Sequence, residues 1–360
     1  MQQIKPKVID LFAGVGGLSL GFEMAGFDVV LSNEYDSSIA NAYIKNRKNA
    51  NMIIADITKL AIEETFVAYV GQTDVIIGGP PCQGFSQKGQ RKSIDDNRNF
   101  LFKYFHQVVK LVKPKYFLME NVPNLLTSEN GYFQEEIRNL FNELGYSICT
   151  DVLNASNFGI PQNRKRAFIL GKIGATELKL PTPLNNITTI WDAISDLAYL
   201  NSGEGSETQD YLHPPESMYQ KLLRNNQRLL HNHITTNHAP IALERMKMIP
   251  PGSGKEVLPK EHLTKSIYSG TWTRMEKDDV SVTVTTRFDT PSSGKFMHPY
   301  LHRAITVREA ARIQSFPDSF RFYGNKTSQM KQVGNAVPPL LAQAIAEVIF
   351  EDIMCGKHQE

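Results

Sequence analysis

The segment Ile77-Gly78-Gly79-Pro80-Pro81-Cys82-Gln83-Gly84-Phe85-Ser86 empties a strand-like apolar run, Asp74 to Ile77, into two glycines, two prolines and a thiol. Proline fixes its own φ and restricts the residue before it, while glycine allows tight backbone paths. The thiol is therefore presented on a rigid elbow. A cysteine that only fills a core needs none of this, and in a thiol-poor chain Cys82 is a candidate nucleophile. Downstream, the apolar run Tyr116 to Met119 delivers Glu120 at its end, followed by Asn121 and Val122. A carboxylate leaving a buried strand needs partners, or its pKa rises, which suits a group that donates a proton or hydrogen bond to a substrate. Capping the next segment is the structural alternative. Gln162-Asn163-Arg164-Lys165-Arg166 precedes another apolar run, and on an extended chain Arg164 and Arg166 share one face. Such a pair grips an anion or orients a carboxylate, unless it is only a solvated basic turn.

A second group of residues points to a bound nucleoside. Gly14, Gly16 and Gly17, in Asp10-Leu11-Phe12-Ala13-Gly14-Val15-Gly16-Gly17-Leu18-Ser19, follow a first strand and open a first helix. Close glycines there let a ligand approach the backbone at a helix N-terminus. The pattern departs from the dinucleotide fingerprint, because Ser19 holds the third glycine position. Glu34 ends the second strand and is placed to accept both hydroxyls of a ribose. Asp56, at the end of the third, suits an adenine amino group. Each acid alone is equally a turn residue; in this order, after a glycine turn, they favour an adenosine moiety.

The elements that must position these groups alternate. Val8 to Phe12, Val29 to Ser32, Met52 to Ala55, Asp74 to Ile77, Tyr116 to Met119 and Ala167 to Leu170 read as strands. Gly17 to Ala25, Ser37 to Asn46, Asn99 to Val112 and Tyr132 to Leu144 read as helices. The expected fold is α/β, a doubly wound, mostly parallel sheet. From about Thr176 to Tyr300 proline and glycine recur and periodicity breaks. A helix is expected over Glu216 to Leu230 and a strand over Val280 to Thr286, in a second, smaller, irregular domain. Pro339 to Ile353 reads as an amphipathic helix opened by prolines. The expected organisation is therefore 1–175 with 326–360 as a catalytic domain, 176–300 as a substrate-reading domain, and 301–325 as a connecting segment.

The 360 residues carry a formal charge of only +2, so a nucleic-acid partner must be held by local patches. Three cysteines without regular spacing argue against a disulfide scaffold or a zinc cage, and no metal is expected. No secretory pattern opens the chain and no uninterrupted apolar run approaches the ~20 residues of a membrane span. A cytoplasmic, monomeric protein is expected, with no membrane partner.

Taken together, the blocks resemble the DNA (cytosine-5) methyltransferase family. The resemblance rests on Phe12 to Gly17, Asn33-Glu34, Asp56-Ile57, Gly79 to Ser86, Glu120-Asn121-Val122 and Gln162 to Arg166. It resumes at Arg308 to Pro317 and Gln332 to Pro339. It implies S-adenosylmethionine as cofactor, held by Phe12, Gly14, Gly16, Gly17, Glu34, Asp56, Ile57, Pro80, Leu101, Asn335 and Val337. It implies Cys82 as the nucleophile adding to carbon 6 of a cytosine extruded from double-stranded DNA. Glu120 would hold the ring nitrogen and amino edge, with Arg164 and Arg166 orienting the cytosine carbonyl or Glu120. The polar segment Phe85 to Asn97 resembles the family's mobile catalytic loop. Gln83, Ser86, Lys88, Arg91 and Lys92 are its candidate DNA contacts, and Arg274 and Arg287 the candidate groove contacts of the reading domain. A restriction endonuclease acting on the same site, without a stable complex, is a compatible partner, as is a solitary role. One branch of the family modifies transfer RNA, which is the alternative substrate. A nicotinamide oxidoreductase would leave Cys82, Glu120 and the Gln332 to Pro339 block unexplained. A binding-only regulator has no need of the thiol.

Overall fold

The structure is a computed structural model that describes residues 5–81, 100–174, 177–184, 186–264 and 270–356. Two compact units divide it. The first comprises Met1–Asn154, Lys165–Pro183 and Pro339–Glu360; the second comprises Ala155–Arg164 and Leu184–Pro338.

The elements run β1 (Lys7–Leu11), α1 (Gly17–Met24), β2 (Asp28–Glu34), α2 (Ser37–Lys45), β3 (Met52–Ile54), α3 (Ile62–Phe66) and β4 (Val75–Gly78). They continue with α4 (Leu101–Val112), β5 (Tyr116–Asn121), α5 (Asn124–Thr127), α6 (Tyr132–Asn142), β6 (Tyr146–Asn154), β7 (Gln162–Asn163) and β8 (Lys165–Ile173). In the first unit seven strands form one sheet in the order β3-β2-β1-β4-β5-β8-β6. Strands β1 to β5 pair in parallel, and β8 runs antiparallel between β5 and β6. The expected mostly parallel sheet is present.

Strands covered on both faces read as unbroken apolar runs, and Val8, Ile9, Leu11, Val75, Ile76, Ile77, Phe117 and Leu118 are fully buried. Helix α4 buries Phe102, Phe105, Val108, Val109 and Val112 at helical spacing. Phe117 stacks on Phe141 at 4.0 Å and meets Phe105 edge-on at 6.1 Å. Asp36 starts α2 by accepting from Ser38 and Ile39 N–H, and Lys113 stops α4 in the left-handed region just before Pro114. The expected strand and helix positions hold in this unit, with three omissions: the short helices α3 and α5, and the strand β6. The spacing gave no strand over Tyr146–Asn154, because Ser147, Thr150 and Asp151 interrupt any apolar run. That strand sits at the sheet edge and is only partly buried.

The closing helix of the first unit is α12 (Pro339–Gly356), which packs on α1. By length and composition the stretch Lys326–Cys355 would suffice to cross a membrane, but most of it is buried within the protein. Leu341, Ala342, Ile345, Ala346 and Ile349 of α12 are buried, and Phe350 meets Phe27 edge-on at 5.5 Å.

The second unit contains β7, α7 (Ile190–Ile194), β9 (Gly205–Asp210), α8 (Met218–Arg224), β10 (Leu229–Ile234), α9 (Pro240–Met248), β11 (Ser281–Val282), α10 (Val307–Ile313) and α11 (Lys326–Asn335). Two expectations are corrected here. The helix expected over 216–230 is only α8, which ends at Asn225 with φ 46, and Leu229 and Leu230 belong to a strand paired with β9. The strand expected over 280–286 shrinks to β11, paired in parallel with β7.

The core of this unit is charged as well as apolar. Arg303 makes a bidentate pair with Glu309 at 2.7 and 2.8 Å, and both are fully buried. Burial pushes the Glu309 carboxyl up, but Arg303 outweighs it and holds the group at about 2. Arg312 bridges Asp196 and Asp318, also fully inside. The Arg308 to Pro317 block of the sequence is thus the brace of this unit.

Candidate active site

The strand order reverses between β1 and β4, and in open α/β sheets ligands bind beyond the carboxyl ends of the strands at that point. The glycine turn leaves β1 there, and Gly79-Pro80-Pro81 leaves β4 there.

The turn is unusual backbone. Phe12, Gly14 and Gly16 have φ of 58, 57 and 90°, the left-handed region that favours glycine. A Cβ on Gly14 would meet nothing within 4 Å, so the backbone there faces open space. Ala13 N–H donates to Asn33 O at 2.9 Å, which ties the turn to β2. The Glu34 carboxylate holds it further. Oε2 accepts from Gly14 N–H and Oε1 from Asp36 N–H, both at 2.9 Å. Burial pushes the Glu34 carboxyl up, and the two N–H groups oppose the rise. Each carboxylate oxygen offers a second lone pair, so two backbone bonds still leave capacity for hydroxyl donors.

At the end of β3, Asn33 donates through Nδ2 to Ile53 O and Ala55 O at 3.0 and 2.9 Å. This fixes the path into Asp56 and Ile57. Asp56 is exposed and caps the next turn through Oδ1, which accepts from Thr58 N–H and Oγ1, while Ile57 is buried. A left-handed turn with open space above it, a double-acceptor carboxylate and an exposed acid beside an apolar wall fit an adenosine-bearing ligand. Leu101 opens α4 half-buried, and Pro80 is buried.

Two of the catalytic candidates, Glu120 and Arg166, meet at the end of β5. Glu120 stands opposite Phe168 of β8, and Arg166 lies two residues along β8 from Phe168. Two residues on a strand return to the same face, so Arg166 is the diagonal neighbour of Glu120. Its Nε lies 2.9 Å from Glu120 Oε1, both side chains being mostly buried. Gly79 makes room on the other side: a Cβ there would lie 2.9 Å from Glu120 Oε2. Asn121 points its Nδ2 at Pro80 O at 2.8 Å, and its Oδ1 accepts from Val122 N–H. The backbone leading to Cys82 is therefore clamped to the strand that carries Glu120.

Cys82, Gln83, Ser86, Lys88, Arg91 and Lys92 lie outside the described residues. Arg164 departs from the extended-chain expectation. Its N–H turns back to Gln162 O at 3.0 Å, which breaks the alternation that would have put it on the face of Arg166. Arg164 belongs to the second unit, is buried, and donates to Val284 O and Gly334 O at 3.1 and 2.8 Å. Asn335 and Val337 also lie in that unit, Asn335 exposed at the end of α11 and Val337 buried.

Arg274 is the clearest correction. It is buried, and its five N–H donors go to Ile249 O, His298 O, Leu301 O, Met246 O and His302 Nδ1. It braces the fold and has no donor left for a DNA groove. Arg287 is exposed, its nearest acid being Asp289 at 3.9 Å. The sequence reading gave no role to Asn33 or Asn121, and gave Gly79 only a place in the elbow. Their signal was adjacency: each stands next to a residue already singled out.

The family model described as C-5 cytosine-specific DNA methylase matches residues 6–351. The chain is 38% identical to the type II methyltransferase M.DdeI of Desulfomicrobium norvegicum, over 96% of this chain and 89% of that one. It is 40% identical to the type II methyltransferase M1.HphI of Haemophilus parahaemolyticus, over 95% and 86%. Among solved structures it is similar to a candidate DNA modification methyltransferase encoded within an E. coli prophage. That match has a TM-score of 0.80 and 30% identity, over 97% of this chain and all of the other.

Proposed function

Because the chain belongs to the C-5 cytosine-specific DNA methylase family, and is a DNA cytosine-5 methyltransferase like its type II relatives, we propose how its residues carry the reaction. S-adenosylmethionine, bound on the turn Phe12 to Gly17 with Glu34 at the ribose and Asp56-Ile57 at the adenine, would supply the methyl group, its sulfur keeping the electron pair of the broken S–CH3 bond. Pro80 and Leu101 are assigned to the same pocket.

The target cytosine is swung out of the duplex, since its reacting carbons are stacked inside it. The Cys82 thiolate adds to carbon 6, forming an S–C6 bond and making carbon 5 nucleophilic. After carbon 5 is methylated it loses its proton to solvent. The S–C6 bond breaks, the electron pair returns to the ring, and Cys82 leaves as thiolate. Splitting one hard step into two easier ones is covalent catalysis. Glu120 accepts from the exocyclic amino group and shares a proton with ring nitrogen 3, which draws electrons from carbon 6 during addition. Arg166 fixes the rotamer of Glu120 and offsets its charge. Arg164 supports the backbone of Gly334 beside Asn335. The second unit reads the DNA sequence, with Arg287 as an exposed contact.

The observation that carries this reading is the convergence of Glu120, Arg166 and the clamped Pro80 at the strand ends beside the glycine turn. Duplex DNA carrying 5-fluorocytosine at the target should trap a covalent adduct on Cys82, because fluorine cannot leave as the proton does. The target itself is found by bisulfite sequencing of DNA from cells expressing the chain. Active enzyme that forms no adduct would sink the nucleophile assignment, and transfer RNA methylated in preference to duplex DNA would overturn the substrate.

A further inference from the structure

Beneath the glycine turn runs a buried polar chain to which the reaction above gives no task. Asp10 of β1 is fully buried, and its Oδ2 accepts from Ser19 Oγ of α1 at 2.6 Å. Ser19 Oγ lies 2.9 Å from the Tyr43 hydroxyl of α2, which lies 2.7 Å from Ser32 Oγ of β2. Each hydroxyl has one hydrogen to give. Ser19 gives its own to Asp10, so Tyr43 must donate to Ser19, and Ser32 to Tyr43. The donors run one way, from Ser32 through Tyr43 and Ser19 to Asp10.

The same tyrosine supports the turn directly. Arg47 stacks over its ring at 3.8 Å, donates from Nη2 to Gly16 O at 3.0 Å and pairs with Glu23 at 2.8 Å. A Cβ on Gly16 would strike the Tyr43 ring at 2.5 Å and Arg47 at 2.7 Å. The turn rests on these two side chains.

We propose that the Ser32–Tyr43–Ser19–Asp10 chain is the positioning device of the methyl-donor turn, and that proton occupancy of Asp10 sets how firmly the turn holds its ligand. The inference rests on the cofactor assignment above. With Asp10 ionised, every hydroxyl hydrogen has one destination and the chain has one orientation. With Asp10 protonated the order is lost. A proton on Oδ2 competes with that of Ser19 and lets the chain reverse. A proton on Oδ1 finds no acceptor, since that atom is buried without a hydrogen-bond partner.

Burial pushes the Asp10 carboxyl up to about 7, opposed by the Ser19 bond and Arg47 and assisted by Glu23 and Glu34. Tyr43, pushed up to about 12 by burial, remains a hydroxyl throughout. The change of order therefore falls near neutral pH. One pH unit either side of the midpoint, the ionised fraction goes from roughly 0.1 to 0.9, so affinity should tighten about tenfold from pH 6 to pH 8. Stability moves the other way. A carboxyl whose folded pKa is raised favours the fold when protonated, and that contribution is lost as pH rises towards 7.

The test is S-adenosylhomocysteine binding to the full chain by titration calorimetry from pH 6 to 8.5, in two buffers of different ionisation enthalpy, beside thermal unfolding. Wild type should tighten about tenfold and release a proton on binding near pH 7. Asp10→Asn should lose both effects, keeping only the dependence due to Glu34. Tyr43→Phe keeps the ring under Arg47 and should bind roughly five- to tenfold more weakly while folded. Ser32→Ala removes the first donor without touching Asp10 and decides the matter if Asp10→Asn does not fold. Wild-type proton release in Asp10→Asn, or wild-type affinity in Tyr43→Phe and Ser32→Ala, overturns the proposal. If wild type binds and the variants follow it, this inference alone fails. If wild type does not bind at any pH, the cofactor assignment fails and takes this inference with it.

Discussion

Replacing Gly79 by alanine separates the geometry of catalysis from the stability of the fold. Gly79 is not in the left-handed region, so alanine meets no backbone strain. Its Cβ would stand 2.9 Å from Glu120 Oε2, about 0.5 Å inside ordinary contact. The obstacle is the far end of a flexible side chain, and the fold can yield there at a cost of about 1 kcal/mol or less. The carboxylate cannot yield so freely, because its other oxygen is held by Arg166 Nε at 2.9 Å. It must retreat or rotate away from where the cytosine edge is to be met. A misplacement of 1 Å costs about 100-fold in rate, so half of that distance should cost roughly tenfold, or about 1.4 kcal/mol of barrier. The assay is single-turnover methyl transfer from labelled S-adenosylmethionine to duplex DNA, with unfolding midpoint and S-adenosylhomocysteine affinity measured beside it. The expected result is a slowed chemical step with both controls near wild type. A rate within twofold of wild type would refute the reasoning. So would a loss explained entirely by a lowered midpoint.

Other perturbations report on other parts. Arg166→Met should cut turnover about 100-fold with little change in cofactor affinity, and Arg166→Lys should recover only part of it, because a point charge replaces an oriented fork. Arg274→Ala removes five donors, three of which serve the buried carbonyls of Met246, Ile249 and His298, and should cost about 3–5 kcal/mol in urea unfolding. Arg287→Ala should leave stability within about 0.5 kcal/mol, weaken DNA binding and reduce its salt slope by about one. Acid should loosen the second unit. Burial lowers His233 and His238 to about 4 and His298 to about 3. Because their folded values lie below the ordinary one, the unfolded chain takes up more protons between about pH 6.5 and 4, and stability is lost as pH falls through that window. Three such groups give a slope of about 4 kcal/mol per pH unit at most. Denaturant midpoints at stepped pH would check this, and a flat profile down to pH 4.5 would contradict it.

The alternation of apolar runs and helical periods was enough to place β1 to β5, most plainly β1, β4 and β5, which are buried nearly throughout and so read as unbroken apolar runs. The glycine turn, Glu34 and Glu120 were legible for a related reason: polar groups at the ends of apolar strands stand out against them. What was hidden lay where local pattern and tertiary role diverge. The edge strand Tyr146–Asn154 is only partly buried along most of its length and mixes residue types, so no period announced it. Arg164 and Arg166 look equivalent in sequence, and only the turn at Gln162–Arg164 separates them. Arg274 carries the same charge as Arg287, yet five acceptors drawn from residues 246 to 302 gather around it. Such acceptors are backbone carbonyls for the most part, and carbonyls have no sequence signature.

The packing of α12 on α1 also sets an order in time. The residues of the glycine turn leave the ribosome well before the helix that covers their supporting helix. Until Pro339–Gly356 emerges, the face of α1 that receives it stays wet and the first unit lacks one of its three segments. A growing chain therefore holds nearly every atom of the active site before it holds an active site. Methylation cannot precede the translation and docking of that helix, and its onset after induction should lag the first appearance of nascent protein by the time those take.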